Sequence, residues 1–169
     1  MRGVHMMVAG FAAALASAPV AQAGWLQYES PEYGFSALFP RTPTRQERTT
    51  DDIIFTSFKA GNDAASCFVV VAQYQRAIDP NKEATAIRDA SLKAMKATQT
   101  ASKRSAIMRG GEQLEALEFE AASDERSFRS LIVTDGQRGY QVFGGVSKID
   151  GDTAELDACV GGFRLLPKA

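Results

Sequence analysis

The chain has 169 residues, a formal net charge of −1, 45% hydrophobic residues and 23% charged residues. That near-neutral balance lacks the clustered basic surface that nucleic acid requires. Arg41, Arg45 and Arg48 are the nearest thing to a basic cluster, and they read as a solvated strand edge.

Residues 1–23 read as a secretory signal peptide. Arg2 supplies the positive start, Met6 to Ala18 form an Ala-rich apolar core, and Ala21-Gln22-Ala23 follows Pro19 as the small-x-small cleavage pattern. Cleavage after Ala23 leaves residues 24–169, a chain of ordinary single-domain size. No later apolar run approaches the roughly 20 residues of a membrane span. A lipoprotein would carry cysteine at the cut site, where Gly24 stands instead. The mature protein is therefore expected to be periplasmic or secreted, as a monomer or weak oligomer. Export makes a disulfide between Cys67 and Cys159 chemically accessible, but both lie in apolar runs and would equally serve as buried thiols.

Trp25, Tyr28 and Tyr33 follow the cleavage site, as rings folded back onto the domain or as a partner surface. Phe35 to Phe39 is a first short strand, stopped by Pro40 and Pro43. Arg45 to Thr50 and Ile53 to Lys59 form a hairpin at Asp51-Asp52. Cys67 to Tyr74 follows, and its unbroken apolar stretch predicts a strand covered on both faces.

Asp79-Pro80 opens a helix over residues 80–97, with an N-cap and a proline at the first helical position. Its inner face is expected to hold Ala84, Ile87, Ala90, Ser91, Ala94 and Met95. A second meander follows. Ser102–Arg109 and Glu112–Glu120 turn at Gly110-Gly111, while Arg126–Thr134 and Gln137–Val146 turn at Asp135-Gly136. A last helix starts at Asp152, with Glu155 completing a capping-box spacing, and stops at Gly161-Gly162. Phe163 to Leu166 closes the chain in extended form.

Once His5 leaves with the signal segment, histidine-based triads and His-rich zinc sites are excluded. Two cysteines cannot form a four-thiolate centre in a monomer, and no phosphate-binding glycine loop occurs. Glu112, Glu115, Glu118 and Glu120 share one strand, with Glu118 and Glu120 on one face. Paired acids can hydrolyse glycosidic bonds when one has a raised pKa, yet the row reads best as solvated surface. Asp150, Asp152 and Glu155 could offer oxygen ligands, but the series is too short for an EF-hand loop and suits a turn and helix cap. No catalytic residue, metal ligand or cofactor is assigned.

The opening Tyr28-x-Ser30-x-Glu32-Tyr33-Gly34-Phe35-Ser36-x-x-Phe39-Pro40 resembles that of small exported bacterial proteins of the PsbP-like group, named for an extrinsic subunit of the photosystem II oxygen-evolving complex. The closing Phe163-Arg164-Leu165-Leu166-Pro167 is similar to the group's SFRLLP segment, with Gly162 in place of serine. Between them, the Gly-Gly turn, Leu117 to Glu120 and Gly139 to Gln141 fall in the same order. The resemblance implies a PsbP-like α/β/α sandwich. With the two meanders, the expected fold is α+β, a single antiparallel β-sheet covered by helices.

The resemblance also implies binding rather than catalysis. The leading expectation is a non-enzymatic accessory module that binds an envelope protein. A carrier of a small apolar or amphipathic ligand, held between the sheet and the residue 80–97 helix, is the alternative. A carboxylate-based hydrolase comes third.

Overall fold

The computed structural model describes residues 24–50 and 52–168; the expected signal segment, residues 1–23, lies outside the described residues. In chain order the elements are β1 (Leu26–Ser30), β2 (Phe35–Phe39), β3 (Thr44–Thr50), β4 (Ile53–Gly61), β5 (Ala65–Tyr74), α1 (Pro80–Met95), β6 (Thr98–Arg109), β7 (Glu112–Ala122), β8 (Arg126–Thr134), β9 (Arg138–Ser147), α2 (Ala154–Gly161) and β10 (Arg164–Leu165). The strands form two antiparallel sheets, β1-β2-β10 and the seven-stranded β3-β4-β5-β9-β8-β7-β6.

This corrects the expected single sheet covered by helices. The strand Phe35–Phe39 does not join the large sheet. It pairs with Leu26–Ser30, a segment not expected to be a strand, and with the closing Arg164–Leu165. Burial gives the reason. Phe35, Ala37 and Phe39 are at most 1% exposed, and they pack with Phe58, Val69, Val142 and Phe163 into one core between the sheets. Pro40 and the exposed Arg41 then carry the chain away before β3 begins. One face of the large sheet is thus covered by the small sheet together with α2, rather than by a helical layer.

The other face carries α1, which packs on β7 and β8. Asp79 caps this helix by accepting the Asn81 and Lys82 backbone N–H groups at 3.0 and 3.2 Å. Ala84, Ile87, Leu92 and Met95 lie against Leu117, Phe119, Ala121, Phe128 and Ile132. Ala90 and Ala94, expected on the inner face, are exposed, because the buried stripe is rotated toward Leu92.

The Gly110-Gly111 turn uses two positive φ values, 54° and 96°, which a two-residue hairpin demands and glycine supplies without strain. Asp152 does not cap α2 as a capping box. Thr153 is the cap residue, and the Asp152 side chain accepts the Ala154 N–H at 2.9 Å in the turn just before the helix.

Cys67 of β5 and Cys159 of α2 are disulfide-bonded, with Cα atoms 5.7 Å apart at a sequence separation of 92. Both are fully buried, so the bridge pins α2 onto the large sheet inside the core.

Candidate functional site

The three N-terminal rings, read as folded back onto the domain or as a partner surface, take different places. Tyr33 is 3% exposed and belongs to the core, its ring under the Arg45 guanidinium at 4.9 Å. Tyr28 is half-buried against Phe35, Phe39 and Phe58, with ring centroids 5.6 to 6.3 Å apart. Trp25 is half-buried at the margin of the same core.

Alternation places Glu118 and Glu120 on one face of β7 and Glu115 on the other, but burial separates Glu118 from both. Glu115 and Glu120 are exposed, while the Glu118 side chain is 18% exposed and lies between Lys103 at 3.3 Å and Arg129 at 3.4 Å. Burial pushes the Glu118 carboxyl up, but its hydrogen bonds and these two cations outweigh burial and hold it below the usual range. Glu118 and Glu120 line a shallow cleft of about 180 Å³. A carboxyl kept ionised in this way is the opposite of the proton donor that paired-acid hydrolysis needs. Asp150 and Asp152 are exposed in the turn before α2. Among the described residues, no group of three or more His, Cys, Asp or Glu side chains is placed to hold a metal ion. The interface between α1 and the sheet, where a carried ligand was expected, is filled by the side chains of the second core.

The sequence did not reveal an uncovered half-face of the large sheet. The helix α1 covers β7 and β8, but nothing of comparable size covers the same face of β3, β4 and β5 among the described residues. Register places Phe55, Ser57 and Lys59 of β4 beside Phe68 and Val70 of β5 on this side. Phe68, Phe143 and Phe128 form a row across β5, β9 and β8, with centroids 5.9 and 5.4 Å apart, that starts under α1 and emerges on the open half. Two cations roof the open end: Lys59 Nζ lies 5.1 Å from the Phe68 centroid and Arg48 5.9 Å from that of Phe55. Phe55, Phe68 and Val70 are half-buried rather than enclosed. The unbroken apolar run in β5 is thus covered fully on the Cys67, Val69 and Val71 side, and on the Phe68 and Val70 side only at Ala72.

A second feature is a polar cleft of about 580 Å³ at one end of the two-sheet stack. Its walls are the β1–β2 turn at Pro31 and Gly34, the end of β5, the β8–β9 turn and the tail at Leu166 to Lys168. Arg109 closes the floor with its side chain 4% exposed, paired to Asp135 at 2.6 Å and to Glu112 at 2.7 Å. Asp135 also accepts the Arg138 and Gln137 N–H groups at 2.7 and 3.2 Å. Burial would raise this carboxyl, but the Arg109 and backbone hydrogen bonds prevail and keep it below the usual range.

No protein-family profile matches the chain, and no curated protein matches it. Among solved structures, it is similar to cyanobacterial PsbP (CyanoP) from Synechocystis sp. PCC 6803. The TM-score is 0.51 at 11% identity, over 88% of this chain and 96% of that one. Two packed antiparallel sheets with flanking helices are therefore, in this chain, a PsbP-like fold.

Proposed function

We propose that this protein is an exported, non-enzymatic accessory module that binds a protein of the cell envelope through the open half-face of its large sheet. The observation that carries the reading is the aromatic row from Phe128 to Phe68, which passes from beneath α1 onto uncovered sheet and ends under Lys59. Aromatic side chains with a cationic margin are the composition of interface cores, because rings bury large area at small entropic cost. The PsbP-like fold supports the accessory role, and the Cys67–Cys159 bridge is in keeping with an oxidising compartment outside the cytoplasm. The removable segment at residues 1–23 points the same way.

The test is crosslinking in intact envelopes followed by mass spectrometry, comparing the unaltered chain with Val70→Lys. Val70 lies in the open face, so a lysine there places a charge in the contact while leaving the core side of β5 unchanged. The expected result is one reproducible crosslinked protein that the variant loses at unchanged melting temperature. Equal recovery by both chains, or no reproducible partner, removes the reading.

A further inference from the structure

We propose that the end cleft is a carboxylate-binding site in which Arg138 is the anion-binding group, a function independent of the docking face. The cleft carries three cationic side chains, Arg109, Arg138 and Lys168, of which the most buried, Arg109, is already engaged. Arg109 is paired to Asp135 and Glu112. Lys168 is exposed in the C-terminal tail, and among the described residues no carboxylate holds it in an ion pair. Arg138 is half-buried and likewise unpaired: among the described residues no carboxylate lies within ion-pair distance, and its one side-chain hydrogen bond is a 3.5 Å contact from Nη1 to the Tyr140 hydroxyl.

That hydroxyl is itself committed, donating to the Tyr33 carbonyl oxygen at 2.9 Å. The Tyr74 hydroxyl is likewise used, donating to Glu83 at 2.6 Å, so Tyr74 offers the cleft its ring. A half-buried arginine with open donors is thus left at a cavity whose buried ion pair, Arg109 with Asp135, is already satisfied. Nη1 lies beside the β1–β2 turn, 3.5 Å from where a Cβ on Gly34 would stand, so a side chain at that position would crowd this end of Arg138.

The chemical class follows from geometry and charge. One unpaired guanidinium matches one carboxylate, which it can grip with two parallel N–H bonds. A phosphate dianion would call on a second cation held in place beside Arg138; Arg109 is committed to Asp135 and Glu112, and Lys168 lies exposed in the tail. Beside Arg138, Pro31, Leu166, Pro167 and the Tyr74 ring supply apolar wall, while Gln73 and Gln137 supply amides. The fitting ligand is a carboxylate attached to a small apolar body, either a free organic acid or the C-terminus of a peptide.

The test is an NMR titration of the 15N-labelled, disulfide-bonded protein with N-acetyl-phenylalanine, its carboxamide and acetate. Saturable shifts are expected at the Gly34, Gln137 and Arg138 amides with N-acetyl-phenylalanine at millimolar concentration, and none with the carboxamide. Arg138→Gln should weaken binding by about tenfold or more, as for loss of a charge-assisted hydrogen bond. Arg138→Lys, which keeps the charge and protects the fold, should fall between. Acetate binding as tightly as N-acetyl-phenylalanine assigns the site to small free acids, and a clear preference for the latter assigns it to a peptide end. The proposal is overturned if no probe saturates, if the carboxamide binds equally well, or if folded Arg138→Gln or Arg138→Lys binds undiminished.

Discussion

The Tyr140 hydroxyl donates a 2.9 Å hydrogen bond to the Tyr33 carbonyl oxygen, tying the centre of the large sheet to the turn that joins β1 and β2 of the small one. Both residues are buried, at 2% and 3% exposure, so neither end of the bond can exchange it for water. Burial raises the pKa of Tyr140, which keeps the hydroxyl protonated and able to donate. Tyr140→Phe removes the donor and leaves a buried carbonyl unpaired. The expected loss is about 1–2 kcal/mol, read as a lower urea midpoint at unchanged slope.

The Arg109–Asp135 pair makes stability depend on acid in a defined direction. The folded Asp135 carboxyl lies below its ordinary value, so its contribution is complete above the unfolded pKa, near 4, and is lost as pH falls through the lower folded pKa. Asp135→Asn should cost about 1.5–3 kcal/mol near neutral pH, because it replaces a charge-assisted bond to a buried guanidinium. The gap between the two proteins should narrow as pH drops below about 4 and close once pH passes the lowered folded pKa, where the original carboxyl is protonated as well. Urea melts at neutral pH and in steps below pH 4 check both parts.

The local elements were legible in the sequence because their signals are local. Gly110-Gly111 and Asp135-Gly136 marked the hairpins, and Asp79-Pro80 marked the start of α1 within a residue. The partition into two sheets was not legible. Phe35 to Phe39 looks the same whether it pairs with β3 or with Leu26–Ser30, and its partner is decided by where Phe35 and Phe39 find a core. The open half-face was hidden for the same reason. Phe68 and Val70 are as apolar as Val69 and Val71, and only the placement of α1 over β7 and β8 distinguishes the two sides. Arg138 carried no sequence signal either, since its open donors become apparent only once Arg109, Asp135 and Tyr140 have their partners.

The Cys67–Cys159 bridge closes a 92-residue loop and joins α2 to β5. In the chain-entropy account a loop of that length stabilises by about 4–5 kcal/mol, and mutational experience sets about 2–5 kcal/mol for loss of such a bond. The Cys67→Ala/Cys159→Ala double variant should unfold at a correspondingly lower denaturant concentration. Reductant should shift the unaltered protein in the same direction and leave the variant where it is. Alkylation mass spectrometry of unreduced, denatured protein checks the chemistry, since neither thiol should be labelled.

Gly162 offers a test of how α2 meets the small sheet. The residue has an ordinary backbone, with φ of −80°, so its need is for space rather than for an unusual conformation. A Cβ there would lie 2.6 Å from the Ala158 carbonyl oxygen and 2.7 Å from Leu38 Cγ. The side chain of Leu38 can turn aside, but the Ala158 oxygen belongs to the last turn of α2 and accepts the Gly162 N–H at 3.0 Å. Gly162→Ser restores the residue found at this point in the closing segment that the chain resembles, yet here it forces the end of α2 away from β2. The expected cost is about 1–3 kcal/mol, the range for overpacking a filled site. Adding Leu38→Ala should not recover the loss, because the backbone contact remains. Thermal melts of the single and double variants decide the matter: full recovery in the double variant would mean that Leu38, rather than the last turn of α2, requires glycine at 162.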